Sequence, residues 1–306
     1  MTSNSSVFNQ PSMQLFLIVA LCLVSALIFS LMGGLAVILF YGFDISSFYD
    51  YSNPNTIEGL KLFQLLSSIG LFIVPPIVYA LITSKSILPA LNLNQVSKPI
   101  NWVLVLFIMV VASPIMAWVV EVNAQMSLPS FMSSIEDWMK QSEASAEVLT
   151  KAFISFNGLA SLFYILLIVA VVPAIGEELL FRGVIQKIFT NWTNNHHIAI
   201  WVTAILFSAL HMQFYGFLPR MLLGVFFGYL LVWTGSLWLP ILGHFINNGS
   251  VVVLSYFYPE LMENTELNVF NEDGKTWLPT IISFILVAVG IFLFKKLNTQ
   301  KIETGN

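Results

Sequence analysis

The sequence predicts an all-α fold, a polytopic membrane helix bundle of about eight transmembrane helices. Of its 306 residues, 57% are hydrophobic and 9% are charged, whereas soluble domains carry roughly 25% charged residues. Apolar runs recur at a length that suits a bilayer core, which needs about 20 apolar residues per helix. A helix satisfies its own backbone polar groups in lipid, so a helical bundle is the expected architecture. The predicted spans are 13–42, 59–83, 101–120, 157–189, 197–212, 217–234, 237–258 and 278–294.

The distribution of Lys and Arg predicts how these spans are oriented. The basic residues that follow the even-numbered spans or lie in the tail are Lys85, Lys98, Lys187, Lys295, Lys296 and Lys301. The loops 43–58, 121–156 and 259–276 are instead mostly acidic. By the positive-inside rule both termini lie in the cytoplasm, as an even number of spans requires. No basic surface of the kind that binds nucleic acid is present, which excludes that class of partner.

The same patterns divide the chain into three parts. Residues 1–156 contain the first three spans and an outer amphipathic stretch, 157–258 form a core of four spans, and 259–306 contain an outer loop, the last span and a cytoplasmic tail. Apolar residues recur at helical intervals in the outer stretch, which indicates a surface helix acting as a linker or as a lid. Pro75, Pro76 and Pro114 lie inside predicted spans and should bend them.

Ionisable residues inside the apolar core mark the candidate site. Glu177 and Glu178 follow a run of 19 uncharged residues (157–175), and Arg182 comes one helical turn later. An ionisable group at membrane depth costs about 2.5–3.5 kcal/mol on insertion scales, so such groups are retained mainly where they face a cavity or pathway. Glu178 and Arg182 are four residues apart and share a helix face. Glu177 points about 100° away, where it is free to act as a base.

Two histidines and an asparagine occur in the spans that follow. His211 ends the fifth predicted span and lies at a depth similar to that of Glu177, because these two spans are antiparallel. His244 precedes Asn248 by four residues on the seventh span. It lies only about 10 Å from the cytoplasmic side by helix rise, so it needs a tilted helix or a deeper helix start to reach the other groups. Each histidine taken alone is more typical of a packing residue than of a catalyst.

Three strings carry a resemblance to a known family. EELLFR (177–182), FSALH (207–211) and HFINN (244–248) are similar in order and spacing to the motifs of the CPBP intramembrane proteases. That family includes the CAAX prenyl endopeptidases and many bacterial relatives linked to bacteriocin immunity. The resemblance covers roughly 157–258 and implies a membrane endopeptidase, acting on a membrane-embedded or lipid-anchored peptide in the bilayer of a bacterial inner membrane.

The resemblance also implies roles for individual residues. Glu177 corresponds to the general base that activates a water together with His211, and His244 and Asn248 correspond to the pair that stabilises the oxyanion. Glu178, Arg182 and Phe207 correspond to supporting positions around them. Some members of the family are named metalloproteases, and Glu177, His211 and His244 are a ligand set that zinc accepts. We prefer a metal-free mechanism, in which these residues need no cofactor.

Two other classes of protein fit parts of the sequence. A secondary transporter also places Glu, His and Arg near the middle of the membrane and uses helices broken by proline. An immunity or scaffold protein would keep the fold without the chemistry. The three motifs in order favour the protease, because neither alternative requires all of these positions to be filled.

Overall fold

Every regular element in the described part of the chain is a helix, which confirms the all-α prediction. This computed structural model describes residues 10–42, 50–51, 53–260 and 277–303, with side chains described as far as residue 298. The main helices are α1 (Pro11–Tyr41), α2 (Pro54–Thr83), α3 (Pro99–Val111), α4 (Ser113–Ala124), α5 (Ser133–Phe153), α6 (Gly158–Thr193), α7 (His196–Ala209), α8 (Phe217–Thr234), α9 (Trp238–Phe257) and α10 (Trp277–Glu303).

The structure does not confirm a count of eight membrane spans. Within the described ranges, five helices are long and apolar enough to cross a bilayer, namely α1, α2, α6, α8 with its preceding turn, and α10. The bent pair α3–α4 makes a sixth. Helix α7 has 14 residues, about 21 Å of helix, whereas a bilayer core is about 30 Å thick. Helix α9 is long enough, but His244, Asn247 and Asn248 reduce its apolar character.

Proline and wide helical turns shape the spans. Helices α3 and α4 meet at an angle of 47° beside Pro114, which confirms the predicted bend. Helix α2 continues through Pro75 and Pro76, and its turn Ile69–Ile73, just before them, widens to π geometry. Helix α6 contains two such π turns, Leu167–Val171 and Phe181–Ile185. Glu177 and Glu178 lie on the α-helical segment Val172–Leu180 between these two π turns. Each end of that segment is therefore an irregular turn.

Helix α8 packs closely against α6 and α7 through two glycines. A Cβ atom on Gly224 would lie 3.1 Å from Arg182 Nη2, and one on Gly228 would lie 2.8 Å from Gln186 Oε1 and 2.9 Å from Ile200 Cγ2. The GxxxG pair therefore serves helix packing, which is the usual role of this motif in membranes.

The turn between α8 and α9 is buried beneath the connection that links α2 to α3. Ser236 and Leu237 are fully buried, and the Leu237 amide donates to the Asn92 carbonyl oxygen at 3.1 Å. The Asn92 side chain in turn donates to the Gly235 carbonyl oxygen at 2.9 Å. Helix α9 thus starts at a turn that Asn92 holds by two hydrogen bonds. From this start His244 reaches Glu177, with 3.8 Å between its Nε2 and Glu177 Oε2.

Helix α5 matches the amphipathic stretch that the sequence predicts, and it rests on the turn between α7 and α8. The Trp138 and Phe214 rings are 5.3 Å apart, and Glu143 accepts a hydrogen bond from the Tyr215 amide at 3.4 Å. Beside these contacts, the 259–276 loop and most of 43–58 lie outside the described residues. Of the three acidic loops, only 121–156 is therefore described in full.

Candidate active site

The acidic pair is buried in the centre of the helix bundle. Glu177 is 9% exposed and Glu178 is 0% exposed. Both lie on α6 shortly after Pro173, which has no amide hydrogen and therefore leaves the carbonyl of Val169, four residues earlier, without its usual helical donor. The Asn248 side chain on α9 donates to this carbonyl at 3.1 Å. Asn248, which the sequence analysis singles out, thus supplies the hydrogen bond that Pro173 cannot donate to α6.

Glu178 and Arg182 form the ion pair that their spacing predicts. Arg182 Nη1 lies 2.9 Å from Glu178 Oε1, and both side chains are almost fully buried. Arg182 Nη2 also donates to the Gly224 carbonyl oxygen at 3.0 Å. The Arg182 guanidinium carbon lies 4.8 Å from the centre of the Phe207 ring, a distance at which a cation is attracted to an aromatic face. Together these contacts offset part of the cost of burying the two charges.

His244 lies between the two carboxyl groups. Its Nδ1 is 2.9 Å from Glu178 Oε1, and its Nε2 is 3.8 Å from Glu177 Oε2. The Phe227 ring stacks on the imidazole with an interplanar angle of 19°. Because a carboxylate oxygen accepts and the ring nitrogen donates, the contact with Glu178 assigns a proton to Nδ1. The Nε2 edge of His244 is therefore the edge that faces Glu177.

Glu177 and Glu178 each have a buried Oε2 atom without a hydrogen-bond partner in the described part of the chain. Oε1 of Glu178 is engaged by Arg182 and His244, however, which leaves Glu177 as the less constrained carboxyl group. Buried polar atoms normally have such partners, and an exception at a candidate site calls for an explanation. A carboxylate oxygen left free beside an imidazole is suited to accept a proton from a bound molecule.

His211 lies just beyond the end of α7 and is exposed. Its Nδ1 is 2.8 Å from the Phe207 carbonyl oxygen, and its ring centre is 4.9 Å from that of Phe207. Phe207 also contacts His244, with 6.0 Å between the ring centres. The structure therefore brings Glu177, Glu178, Arg182, Phe207 and His244 together, and it connects His211 to them through Phe207.

Asn248 has a structural contact in addition to its predicted role. One hydrogen of its amide is engaged with Val169, and its Oδ1 accepts a hydrogen bond from Asn247 at 3.0 Å. A side-chain amide carries two N–H donors, so one remains for a ligand. A substitution at Asn248 is consequently expected to affect both the break in α6 and any bound oxyanion.

The candidate zinc ligands do not form a recognisable metal site. Zinc in proteins has three or four protein ligands. Across the ranges that the structure describes, no three His, Cys, Asp or Glu side chains are grouped so that they could hold a metal ion. Glu177 and His244 approach each other. The Nδ1 of His211 is engaged with the Phe207 carbonyl oxygen, which leaves its Nε2 as the ring nitrogen that could bind a ligand.

Gln186 is a buried residue of this region that the sequence analysis missed. It is 3% exposed, and its amide donates to the Gly228 carbonyl oxygen at 3.2 Å. Arg182 bonds to Gly224 in the same way, so two side chains one turn apart on α6 hold two carbonyls one turn apart on α8. The sequence contains a signal for this pattern, since Arg182 and Gln186 are four residues apart, as are Gly224 and Gly228.

Comparison with known proteins gives a family match over the segment that contains this site. Residues 159–250 match the family model described as type II CAAX prenyl endopeptidase Rce1-like. This match confirms the resemblance to the CPBP family over the segment that contains all three motifs. With its several apolar helices, the chain is an integral, multi-pass membrane protein in which residues 159–250 are similar to the Rce1-like family model.

A curated relative matches about a third of the chain. Over 102 residues the sequence is 28% identical to the uncharacterized protein YpbD of Bacillus subtilis (strain 168). The match includes 32% of this chain and 47% of the relative, so the chain spans about half the length of the curated protein that it matches. No solved structure matches the chain.

Proposed function

We propose that this protein is an intramembrane endopeptidase that hydrolyses a peptide bond of a membrane-embedded or lipid-anchored substrate. The observation that carries the proposal is the free Oε2 of Glu177, buried 3.8 Å from His244 Nε2. The match to an Rce1-like family model supports a peptidase over the transporter and scaffold alternatives.

In the proposed reaction, Glu177 acts as the general base. Its carboxylate removes a proton from a water molecule while the water oxygen bonds to the carbonyl carbon of the substrate. The resulting tetrahedral species collapses with cleavage of the C–N bond, and the proton held by Glu177 is transferred to the leaving nitrogen. The products are a carboxylic acid and an amine, and the Glu177 carboxylate is regenerated. A base positioned in this way typically contributes about 10²–10⁴-fold to the rate.

Histidine and asparagine supply the polar groups around the reacting carbonyl. Glu178 fixes the orientation of His244 through Nδ1, and in the imidazolium form both ring nitrogens donate. His244 Nε2 and the second amide hydrogen of Asn248 are the proposed donors to the oxyanion. His211 is the proposed partner of Glu177 in holding the water, on a ring whose Nδ1 is engaged with Phe207. Donors of this kind act strongly in a water-excluded site.

A panel of membrane peptides tests the proposal. Purified protein in lipid vesicles should cleave at least one peptide of the panel, some carrying a lipid anchor and some spanning the bilayer, and mass spectrometry should locate the cut. The Glu177→Ala variant, prepared in the same way, should leave that peptide intact. Cleavage at the same rate by the variant would show that a contaminant or another residue is responsible.

The histidines and the asparagine should differ in their effects. We expect His244→Ala and Asn248→Ala each to lower kcat by the equivalent of about 2.7–4 kcal/mol, the usual cost of losing one oxyanion donor. His211→Ala should lower kcat by impairing the positioning of water. Kinetics on one cleaved peptide would measure these losses, and a variant with unchanged kcat would remove that residue from the mechanism.

Removal of metal gives an independent expectation. A metal-free enzyme should retain its activity after exhaustive dialysis against a chelator, because Glu177 itself activates the water. Activity that disappears with the chelator and returns with zinc would instead make Glu177, His211 and His244 candidate ligands, despite their arrangement here.

We further propose that both termini face the cytoplasm of a bacterial inner membrane. Single cysteines at His196 and Lys296, which are exposed positions, should react with an impermeant thiol reagent only from the cytoplasmic side. A cysteine at Ala144 on α5 should react only from outside. Cys22 is replaced by alanine beforehand to remove its background. Labelling of Ala144 and His196 positions from the same side would show that α6 does not cross the membrane.

A further inference from the structure

The α-helical segment that carries Glu177 rests on the irregular turn of α2. Gly176, which immediately precedes Glu177, is buried. A Cβ atom added to it would lie 2.8 Å from Phe72 Cβ, 3.0 Å from Ile73 Cγ1 and 3.4 Å from the Phe72 backbone carbonyl carbon. The first distance is shorter than real Cβ contacts allow, so α6 and α2 approach each other as closely here as a glycine permits.

The geometry of α2 at this contact is itself unusual. Phe72 and Ile73 belong to the π turn Ile69–Ile73, in which the Val74 amide bonds to the Ile69 carbonyl oxygen. Such a turn contains one more residue than an α-helical turn, and single π turns inside α-helices occur frequently at functional sites. Two prolines follow at Pro75 and Pro76. The extra residue therefore lies where α2 meets Gly176.

The π turn is also fixed from the side opposite α6. Gly70, in the same turn, packs directly on the Phe29 side chain of α1, where an added Cβ atom would collide with the ring. The turn is thus held between α1 and α6, and a displacement on either side would be transmitted through it. Both α1 and α2 lie outside the segment that matches the family model.

We propose that the π turn of α2 positions the base of the reaction, with Phe72 and Ile73 acting as positioning residues that set the place of Glu177 through Gly176. This inference rests on the proposed function only for its effect on turnover. The contact of Gly176 with Phe72 fixes the backbone beside Glu177 whatever reaction the site carries out. If Glu177 is the base, a misplacement of about 1 Å can cost about 10²-fold in rate.

Gly176→Ala tests the proposal because its new methyl group must push α6 away from Phe72. We expect kcat to fall about 10–100-fold, while KM stays within about threefold because the substrate contacts are not altered. Gly249→Ala is the matched control. Gly249 lies on α9 beside Asn248, and a Cβ atom there would have only ordinary contacts at 3.7 Å. Its kcat should remain within about twofold of the native value.

A double-mutant cycle separates positioning from general damage. Phe72→Gly removes the Cβ atom that the new methyl group strikes, so adding Gly176→Ala in that background should cost little. If Gly176→Ala alone does not accumulate as folded protein, the yield of folded protein replaces kcat as the measured quantity, and the double variant should recover it. Equal losses in both backgrounds, or native kcat in Gly176→Ala, would overturn the proposal.

An infrared measurement makes the test independent of proteolysis. The difference between the spectra of the native protein and of Glu177→Gln isolates the carboxyl band of Glu177. That band should shift in Gly176→Ala and remain in place in Gly249→Ala, and adding Gly176→Ala to Phe72→Gly should shift it little further. A shifted band in a protein that cleaves no peptide would reject the proposed function and retain the positioning role. An unshifted band together with native cleavage in Gly176→Ala would retain the proposed function and reject the positioning role.

Discussion

Replacing Glu177 with glutamine is expected to abolish nearly all proteolysis, a loss of about 10²–10⁴-fold in kcat. Glutamine has the same shape as glutamate but cannot accept a proton from water at neutral pH. The free Oε2 has no protein partner in the described residues, so the substitution breaks no hydrogen bond at that atom. The loss should therefore appear in kcat on a cleaved peptide, with helical content and thermal unfolding close to native.

A second glutamine variant controls for the loss of a carboxylate as such. Glu147 lies on α5, is about half exposed and pairs with Lys151. Glu147→Gln should leave kcat within about twofold, since an exposed ion pair contributes at most about 1 kcal/mol. Near-native turnover by Glu177→Gln would exclude this residue as the base.

Replacing Glu178 with alanine is expected to produce the largest loss of stability, about 3–5 kcal/mol in the free energy of unfolding. The Arg182 guanidinium is fully buried, and Glu178 is its carboxylate partner at 2.9 Å. The variant leaves that cation in the bundle without a counter-charge. It also removes the acceptor that orients His244, so we expect kcat to fall as well.

The chain offers a matched pair for comparison. Glu147 and Lys151 are likewise four residues apart on one helix and 2.7 Å from each other, but their side chains are 46% and 45% exposed. Glu147→Ala should therefore cost no more than about 1 kcal/mol. Titration with a denaturing detergent in mixed micelles would measure both losses. Similar values for the two variants would mean that the Glu178–Arg182 pair is not effectively buried.

Features that depend on local spacing could be predicted from the sequence. Glu178 pairs with Arg182 because residues four apart share a helix face, and Pro114 bends its span because it removes a helical hydrogen bond. The all-α class follows from the apolar runs for a similarly local reason. Pro173 likewise indicates that the Val169 carbonyl lacks its usual helical donor, but not that Asn248, 79 residues away, supplies the hydrogen bond.

Features that depend on how distant segments meet could not be predicted in this way. No local pattern predicts that the Gly235–Leu237 turn is buried, because the residue that bonds to it, Asn92, is 143 residues away from Gly235. The predicted count of about eight spans is not confirmed, because α7 is short and α9 carries His244, Asn247 and Asn248. The proximity of His244 to Glu177 depends on the same buried turn, and the contact of Gly176 with Phe72 depends on a π turn.

The hydrogen bonds of Asn92 bear on the modularity of the molecule. The segment that matches the family model begins at residue 159, yet the turn from which α9 starts is held by Asn92, a residue of the preceding part. A boundary of sequence similarity is therefore not a boundary of assembly. A shortened chain that keeps only the matched segment would lack this anchor.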